Sequence, residues 1–357
     1  MKIAVYSPYL DTFGGGEKYM MTIAETFSRD HNVEVLLDRH LLNFGGEYLK
    51  NELSKRFSLN LQKVSFIEAP VGRGAAILDR SFFLKKYDAF FYLTDGSIFY
   101  PTAGKNILHI QSPLVGQPAQ SLWGKLKLKG WDLIIYNSGF TKEHSVKNWP
   151  LRSEIIYPPV DTDIIKPLEK KKYILSVGRF TPVKKQADLI EAFKSLLNEY
   201  SVDGWSLHLA GSAGKGDMDY SDELRDLAQG LPVKFYPNMD YKGLVKLYGQ
   251  SSIYWHAAGF GEIDPTKMEH FGISTVEAMA GGCVPVVIGK GGQLEIIEDQ
   301  ISGYLWNTID ECKELTAEVI SDERLRSRLS ENAVSRSKKF NKDKFIENIL
   351  RISHLTK

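Results

Sequence analysis

One unit, met twice, limits the fold of this chain more than any other feature. In each copy a short apolar run leads through a glycine-bearing turn into a helix-spaced apolar pattern and then a second apolar run. The first copy comprises residues 3–6, the turn Phe13-Gly14-Gly15-Gly16-Glu17, then Tyr19, Met20, Ile23, Ala24 and Phe27 at helical spacing, and residues 33–37. The second comprises residues 173–177, the turn from Gly178 to Lys185, then Leu189, Ile190, Ala192, Phe193 and Leu196, and residues 206–210. Short apolar runs without alternation suit strands buried on both faces, and their alternation with helices implies parallel sheets. A chain of 357 residues has room for two such α/β domains. Further strands are expected at residues 63–68, 89–93, 106–110, 132–136, 233–236, 253–256 and 284–288. Helices are expected over 309–336 and 342–355, and residues 164–172, with Pro167 and four lysines, read as a linker.

Composition removes several classes of function. The net charge of +1 gives no electrostatic case for nucleic acid. Cys283 and Cys312 form no metal or disulfide spacing and fit a reducing compartment. The apolar run at the start is too short for a signal peptide, and no run approaches eighteen apolar residues. A cytoplasmic protein is expected. Residues 121–131, S-L-W-G-K-L-K-L-K-G-W, keep two readings open. Their aromatics and three lysines suit a peripheral contact with anionic lipid at the inner face of a membrane, whereas the two internal glycines suit an ordinary solvated helix.

The chemistry concentrates in residues 269–288. Glu269 and Glu277 lie eight positions apart, with a loop tip at Phe271-Gly272 between them. Ile273, Val276, Ala278, Met279 and Ala280 are spaced as a short buried helix, which Ser274 or Thr275 could cap and Gly281-Gly282 could stop. Its N-terminus suits a phosphate, and the two carboxylates suit sugar hydroxyls. A nucleotide-sugar has both features. Arg179 and Lys184, five positions apart on a turn before a helix, can neutralise a diphosphate. The glycines at 289–292 follow a strand and could aim N–H groups at phosphate or sugar.

The 269–288 stretch resembles the E-x7-E region of the retaining GT-B glycosyltransferases of family GT4. It departs from their usual form in having His270 for a glycine and one extra residue at Cys283-Val284. Gly14 to Glu17 resembles the family's G-G-x-E turn, and Arg179 to Lys185 its G-R-x-x-x-x-K-G loop, with Lys185 for the final glycine. Residues 137–141 and 157–161 resemble its N-S-x-F-T and Y-P-P-V-D pieces.

The resemblance implies a GT-B fold, two doubly wound Rossmann-like domains facing across a cleft. It implies an acceptor-side domain over 1–165, joined by a final helix at 340–357, and a donor-binding domain over 166–339. It gives catalytic roles to Glu269, Arg179 and Lys184, with Glu269 on the transferred sugar. Donor binding falls to Gly15, Gly16, Asn238, Met239, Gly272, Ile273, Ser274 and Glu277, the last on the ribose. A sugar or acceptor contact falls to His109 or Gln111; for His109, simple packing in a strand is the equal alternative. The implied reaction moves a hexose of the mannose or glucose class from a nucleotide-sugar to a glycan or lipid-linked acceptor, as in cell-envelope glycan synthesis, with retention of configuration. No cofactor is expected, and no metal, since no D-x-D motif stands at a strand end. The rival readings are a sugar- or nucleotide-binding protein without catalysis and an NAD-dependent oxidoreductase. The second leaves Arg179, Lys184, Glu269 and Glu277 without a task.

Overall fold

The computed structural model describes residues 1–357 except 95, 116–120, 146–148, 150, 215, 217 and 354–357. The chain forms two compact units, Met1–Pro159 with Asp343–Lys357, and Val160–Lys342. The sequence boundary at 165/166 falls inside the second unit, because residues 160–165 stay with it: Val160 and Asn341 form a parallel bridge there.

The first unit holds β1 (Lys2–Tyr6), β2 (Asn32–Leu37), β3 (Val64–Glu68), β4 (Ala89–Leu93), β5 (Lys105–Ile110), β6 (Leu133–Tyr136) and β7 (Ser153–Ile155). They form one sheet in the order β3-β2-β1-β4-β5-β6-β7. The pairing is parallel throughout, with Ile3 beside both Val33 and Ala89. The run that ends the chain, helix Lys342–Ser353, carries Phe345, Ile349 and Ile352 into the same core as Ile3 and Tyr19. The helix Gly15–Phe27 buries Tyr19, Met20, Ile23, Ala24 and Phe27, the residues whose spacing marks it in the sequence.

The second unit holds β8 (Lys171–Val177), β9 (Ser206–Gly211), β10 (Val233–Pro237), β11 (Ser251–His256), β12 (Val284–Ile288) and β13 (Tyr304–Trp306). Their order is β10-β9-β8-β11-β12-β13, again all parallel. β11 and β12 are buried along their whole length, as central parallel strands must be. In each sheet the strand order reverses once, between β1 and β4 and between β8 and β11. A doubly wound sheet opens its ligand crevice at that point, beyond the carboxyl ends of the two strands. The fold is that of the GT-B class.

Two local expectations change. The helix read over 309–336 is two, Ile309–Ser321 and Glu323–Ser337. The break is at Asp322, whose carboxylate accepts hydrogen bonds from the N–H groups of Arg324 and Leu325 and so starts a new helix. Helices Gly46–Phe57 and Ile77–Leu84 occupy a region where the sequence pattern marks only a strand. Among the described residues no helix is long and apolar enough to cross a membrane.

Candidate functional site

The reversal in the second sheet sets the ends of β8 and β11 side by side. β8 runs into Gly178-Arg179-Phe180, which lies backbone to backbone on the loop after β9. The Phe180 N–H donates to the Ser212 carbonyl at 2.9 Å. A Cβ on Gly211 would stand 1.8 Å from the Gly178 carbonyl oxygen, so only glycine allows this approach. A 3-10 turn, Pro182–Lys184, follows, and Lys185 then takes the left-handed conformation at φ 59°. That is the position where GT4 loops carry glycine. Here a lysine bears the backbone cost, and its ammonium reaches Glu262 Oε1 at 2.9 Å.

The turn aims Lys184 at Glu269. Its Nζ donates to Glu269 Oε2 at 2.6 Å, and His256, the last residue of β11, brings Nε2 to 3.0 Å from the same oxygen. Burial opposes the charge of Glu269, but the Lys184 ammonium and the His256 hydrogen bond outweigh it and hold the carboxyl well below its usual range. Burial likewise disfavours the charged imidazolium of His256, and this outweighs the pull of Glu269. Facing a carboxylate oxygen, which can only accept, His256 carries a proton on Nε2 and donates it to Glu269. Its buried Nδ1 has no partner among the described residues. Arg179 is exposed, and its guanidinium has no partner among the described residues; Gln186 Nε2 fixes its backbone by donating to its carbonyl at 2.7 Å.

Glu277 lies within helix Ile273–Ala280, 7% exposed. The Tyr248 hydroxyl donates to its Oε2 at 3.0 Å. Burial first, and the charge of Glu277 second, push the phenols of Tyr241 and Tyr248 up. The helix start differs from the sequence expectation. Neither Ser274 nor Thr275 caps it; Gly272 does, at φ 121°, with no side-chain bond to the first turn. A Cβ on Gly272 would stand 2.9 Å from Gln293 Nε2, so the turn also needs glycine for space. The Ser274 hydroxyl instead takes the hydrogen bond of Tyr254 at 2.8 Å. Ile273 and Ser274 thus open a helix whose first turn no side chain caps, the arrangement that suits an anion.

Two of the glycines after β12 bear on Glu269 directly. The Gly292 N–H donates to the Glu269 carbonyl at 2.8 Å, and a Cβ on Gly291 would stand 2.2 Å from that oxygen. They let the loop press on the backbone of Glu269 and hold it. Asn238, at φ 54°, ties the β9 and β10 ends together. Its Oδ1 accepts from the Ala213 N–H at 3.1 Å and its Nδ2 donates to the Ala213 carbonyl at 3.0 Å. Met239 follows, half-buried, beside Gly243. Cys283, the extra residue, is buried and its thiol donates to the carbonyls of Tyr248 and Ser251. Among the described residues no three His, Cys, Asp or Glu side chains gather to hold a metal ion.

In the first unit, Gly15 and Gly16 open helix Gly15–Phe27. Glu17 Oε2 accepts from the Gly14 N–H at 2.8 Å and the Thr12 hydroxyl at 2.9 Å, which fixes the turn. The Gln111 carboxamide lies over Gly16, so close that a Cβ there would displace it. His109 does not reach this surface. It is 2% exposed, stacked on Tyr19 with centroids 3.9 Å apart, and its Nδ1 lies 3.2 Å from the Ile135 carbonyl. Burial pushes its pKa down to about 3. Of the two residues, His109 lies within β5 and packs in the core, whereas Gln111 follows the last residue of the strand, Ile110, and lies in the turn beyond it.

The second unit thus brings Arg179, Lys184, Glu269 and Glu277 to one end of one sheet, with Gly272, Ile273 and Ser274 between the carboxylates. Sequence reasoning missed His256, Tyr241 and Tyr248. The one signal for His256 is its place as the last residue of an apolar run, where a strand end meets the reversal.

Comparison with known proteins places the family match in this unit. Residues 161–336 match the family model described as glycosyl transferases group 1. A mouse (Mus musculus) protein, GDP-Man:Man(3)GlcNAc(2)-PP-Dol alpha-1,2-mannosyltransferase, is 32% identical over 226 residues, covering 57% of this chain. The match spans 44% of the mouse protein's length. Among solved structures, Anabaena HepE in complex with UDP and glucose superposes with a TM-score of 0.70 at 18% identity, over 99% of this chain and 100% of that one. A glycosyltransferase from Rickettsia africae gives a TM-score of 0.74 at 17% identity, over 98% and 97%. At these identities the solved structures speak for the fold.

Proposed function

We propose that this chain, which belongs to the glycosyl transferases group 1 through residues 161–336, transfers a hexose from a nucleotide-sugar to a glycan or lipid-linked acceptor with retention of anomeric configuration. One observation carries the reading. A carboxylate, Glu269, is held ionised by Lys184 and His256 at the sheet reversal, eight residues before a second buried carboxylate on an uncapped helix.

Each part has a task in that reaction. Breaking the bond between sugar and diphosphate leaves negative charge on the diphosphate. Arg179, with an uncommitted guanidinium, and Lys184 neutralise it, aided by the N–H groups at Gly272, Ile273 and Ser274. Glu277 accepts hydrogen bonds from the ribose hydroxyls. Glu269, fixed through Oε2, accepts one from a hydroxyl of the departing sugar and positions it. Asn238 and Met239 flank the base. The leaving phosphate takes the proton of the acceptor hydroxyl as the new bond forms on the face it vacates. With two cations and a helix start on the diphosphate, the reaction runs without a metal. Gly15, Gly16 and Gln111 of the first unit form a second ligand-contacting surface. The relatives named for GDP-Man make GDP-mannose the first donor to try, with a lipid-linked glycan as acceptor at the cytoplasmic face of a membrane.

Calorimetric titration of GDP into two variants tests the division of labour. Glu277→Gln loses charge-assisted acceptance from the ribose, worth roughly 1.5–3 kcal/mol, so affinity falls about ten- to a hundredfold. Glu269→Gln leaves GDP affinity near wild type, because its partner is the sugar. Equal loss in both variants would overturn these roles.

A further inference from the structure

The first unit carries an apolar surface that its own core does not use. Helix Leu122–Leu128 turns Gly124 and Leu128 inward and leaves Leu122 and Trp123 84% and 74% exposed, with Leu126 also outside. At a hundred degrees per residue these three share one arc, and Lys127 and Lys125 stand on its two sides. Ser121 caps the helix, its hydroxyl accepting from the Gly124 N–H at 3.0 Å. Helix Ile77–Leu84 repeats the arrangement. Leu84 is fully buried, while Ile77, Leu78 and Phe82 are 71%, 70% and 75% exposed.

Both helices are fastened to one segment, residues 99–102. The Thr102 hydroxyl donates to the Ser81 carbonyl at 2.6 Å, and the Arg80 guanidinium lies 4.3 Å from the Phe99 ring centroid. From the other side, Trp131 Nε1 donates to the Phe99 carbonyl at 3.0 Å, and the Gly130 backbone packs on Pro101. Tyr100, between them, is itself exposed. Seven large apolar side chains thus stand out around one short connection. Exposed apolar groups gathered in this way mark an interaction surface, where scattered ones would not. Its charge says which partner. Residues 121–131 hold Lys125, Lys127 and Lys129 and no acidic residue, and Lys85 and Lys86 follow the other helix, against a single acid, Asp79, on it.

We infer that these two helices dock the protein on an anionic lipid bilayer, with Leu122, Trp123, Leu126, Ile77, Leu78 and Phe82 entering the interface and the lysines meeting the headgroups. Short amphipathic helices with an aromatic and aliphatic face flanked by lysines bind in this way, and each basic residue near an anionic surface adds to the attraction. The inference deepens the reading of a lipid-linked acceptor, but the surface stands whatever sugar is moved.

The test is co-sedimentation of the whole chain with phosphatidylcholine vesicles, with and without about a third phosphatidylglycerol. Binding to the anionic vesicles is expected, at least tenfold above the neutral ones and weakened by salt. Leu122→Ser with Trp123→Ser, Leu78→Ser with Phe82→Ser, and Lys125→Ser with Lys127→Ser and Lys129→Ser should each reduce it at least tenfold. All these residues lie outside the core, so unchanged melting curves confirm the folds. GDP binding, measured on the same variants, stays at wild-type level. Vesicle binding without any nucleotide binding would uphold the surface and remove the glycosyltransferase reading. Equal binding to neutral and anionic vesicles, or none to either, overturns the inference. So does a concentration-dependent dimer that Leu122→Ser with Trp123→Ser abolishes, since the face then belongs to a second copy.

Discussion

Glu269→Gln should destabilise the second unit at neutral pH and stop doing so in acid. The variant keeps the shape of the side chain and removes its charge. Oε2 accepts from Lys184 at 2.6 Å and from His256 at 3.0 Å, and the side chains of Lys184 and Glu269 are 25% and 18% exposed. Replacing a charged acceptor by a neutral one loses about 1–2 kcal/mol per bond, hence about 2–4 for two. Sparing the burial of a carboxylate returns part of this, which leaves a net deficit of about 1–3 kcal/mol at pH 7. The sign with pH follows from the depressed carboxyl. Its folded pKa lies well below the reference value of 4.5, so its contribution is complete above that value and disappears as pH falls through the folded one. Wild type and variant should converge below about pH 4, by about 1.4 kcal/mol per unit. Urea unfolding followed by hydrogen exchange of β8 and β11 amides reads the second unit alone. A deficit that stays constant between about pH 7 and about pH 3 would refute the ion-pair account of this cluster.

Three further outcomes follow from the same geometry. Arg179→Ala, on a guanidinium with no partner among the described residues, should leave stability within about 0.5 kcal/mol and slow donor turnover at least tenfold; unchanged turnover removes Arg179 from the site. Lys184→Ala should differ by costing stability as well, since it strands the charge of Glu269, and parallel melting and turnover assays separate the two effects. His256→Asn should lower turnover about ten- to a hundredfold while GDP affinity, read by calorimetry, stays intact, because His256 orients Glu269 without facing the nucleotide.

Eleven of the thirteen described strands and the helix Ile273–Ala280 were legible because they are written in local periodicity, whereas the three-residue edge strands β7 and β13 are too short to carry a period. The cap of that helix was not. Ser274 is a good cap by residue type, but the hydroxyl of Tyr254, twenty positions away, takes it, and Gly272 supplies the turn instead. The pairing of Lys184 with Glu269 spans 85 positions, and His256 has no motif spacing to either, so both depend on the sheet reversal that brings β8 and β11 together. His109 shows the converse. A histidine near a strand end looks available, yet His109 still lies within β5 and stacks in the core on Tyr19, while Gln111 comes just after the strand has ended. Asp322 looked like one more acidic residue on a long helix because capping depends on the backbone turning there.

The central claim is that this chain splits a nucleotide-sugar with retention, and proton NMR of the purified protein mixed with GDP-mannose in EDTA tests it most directly. The account predicts slow consumption of the donor without added metal, GDP released, and α-mannose as the first anomer to appear, with Glu269→Gln nearly silent. A β-anomer as first product would contradict retention. No consumption of GDP-mannose, UDP-glucose or ADP-glucose, in EDTA or with Mg²⁺ or Mn²⁺, would contradict the claim itself.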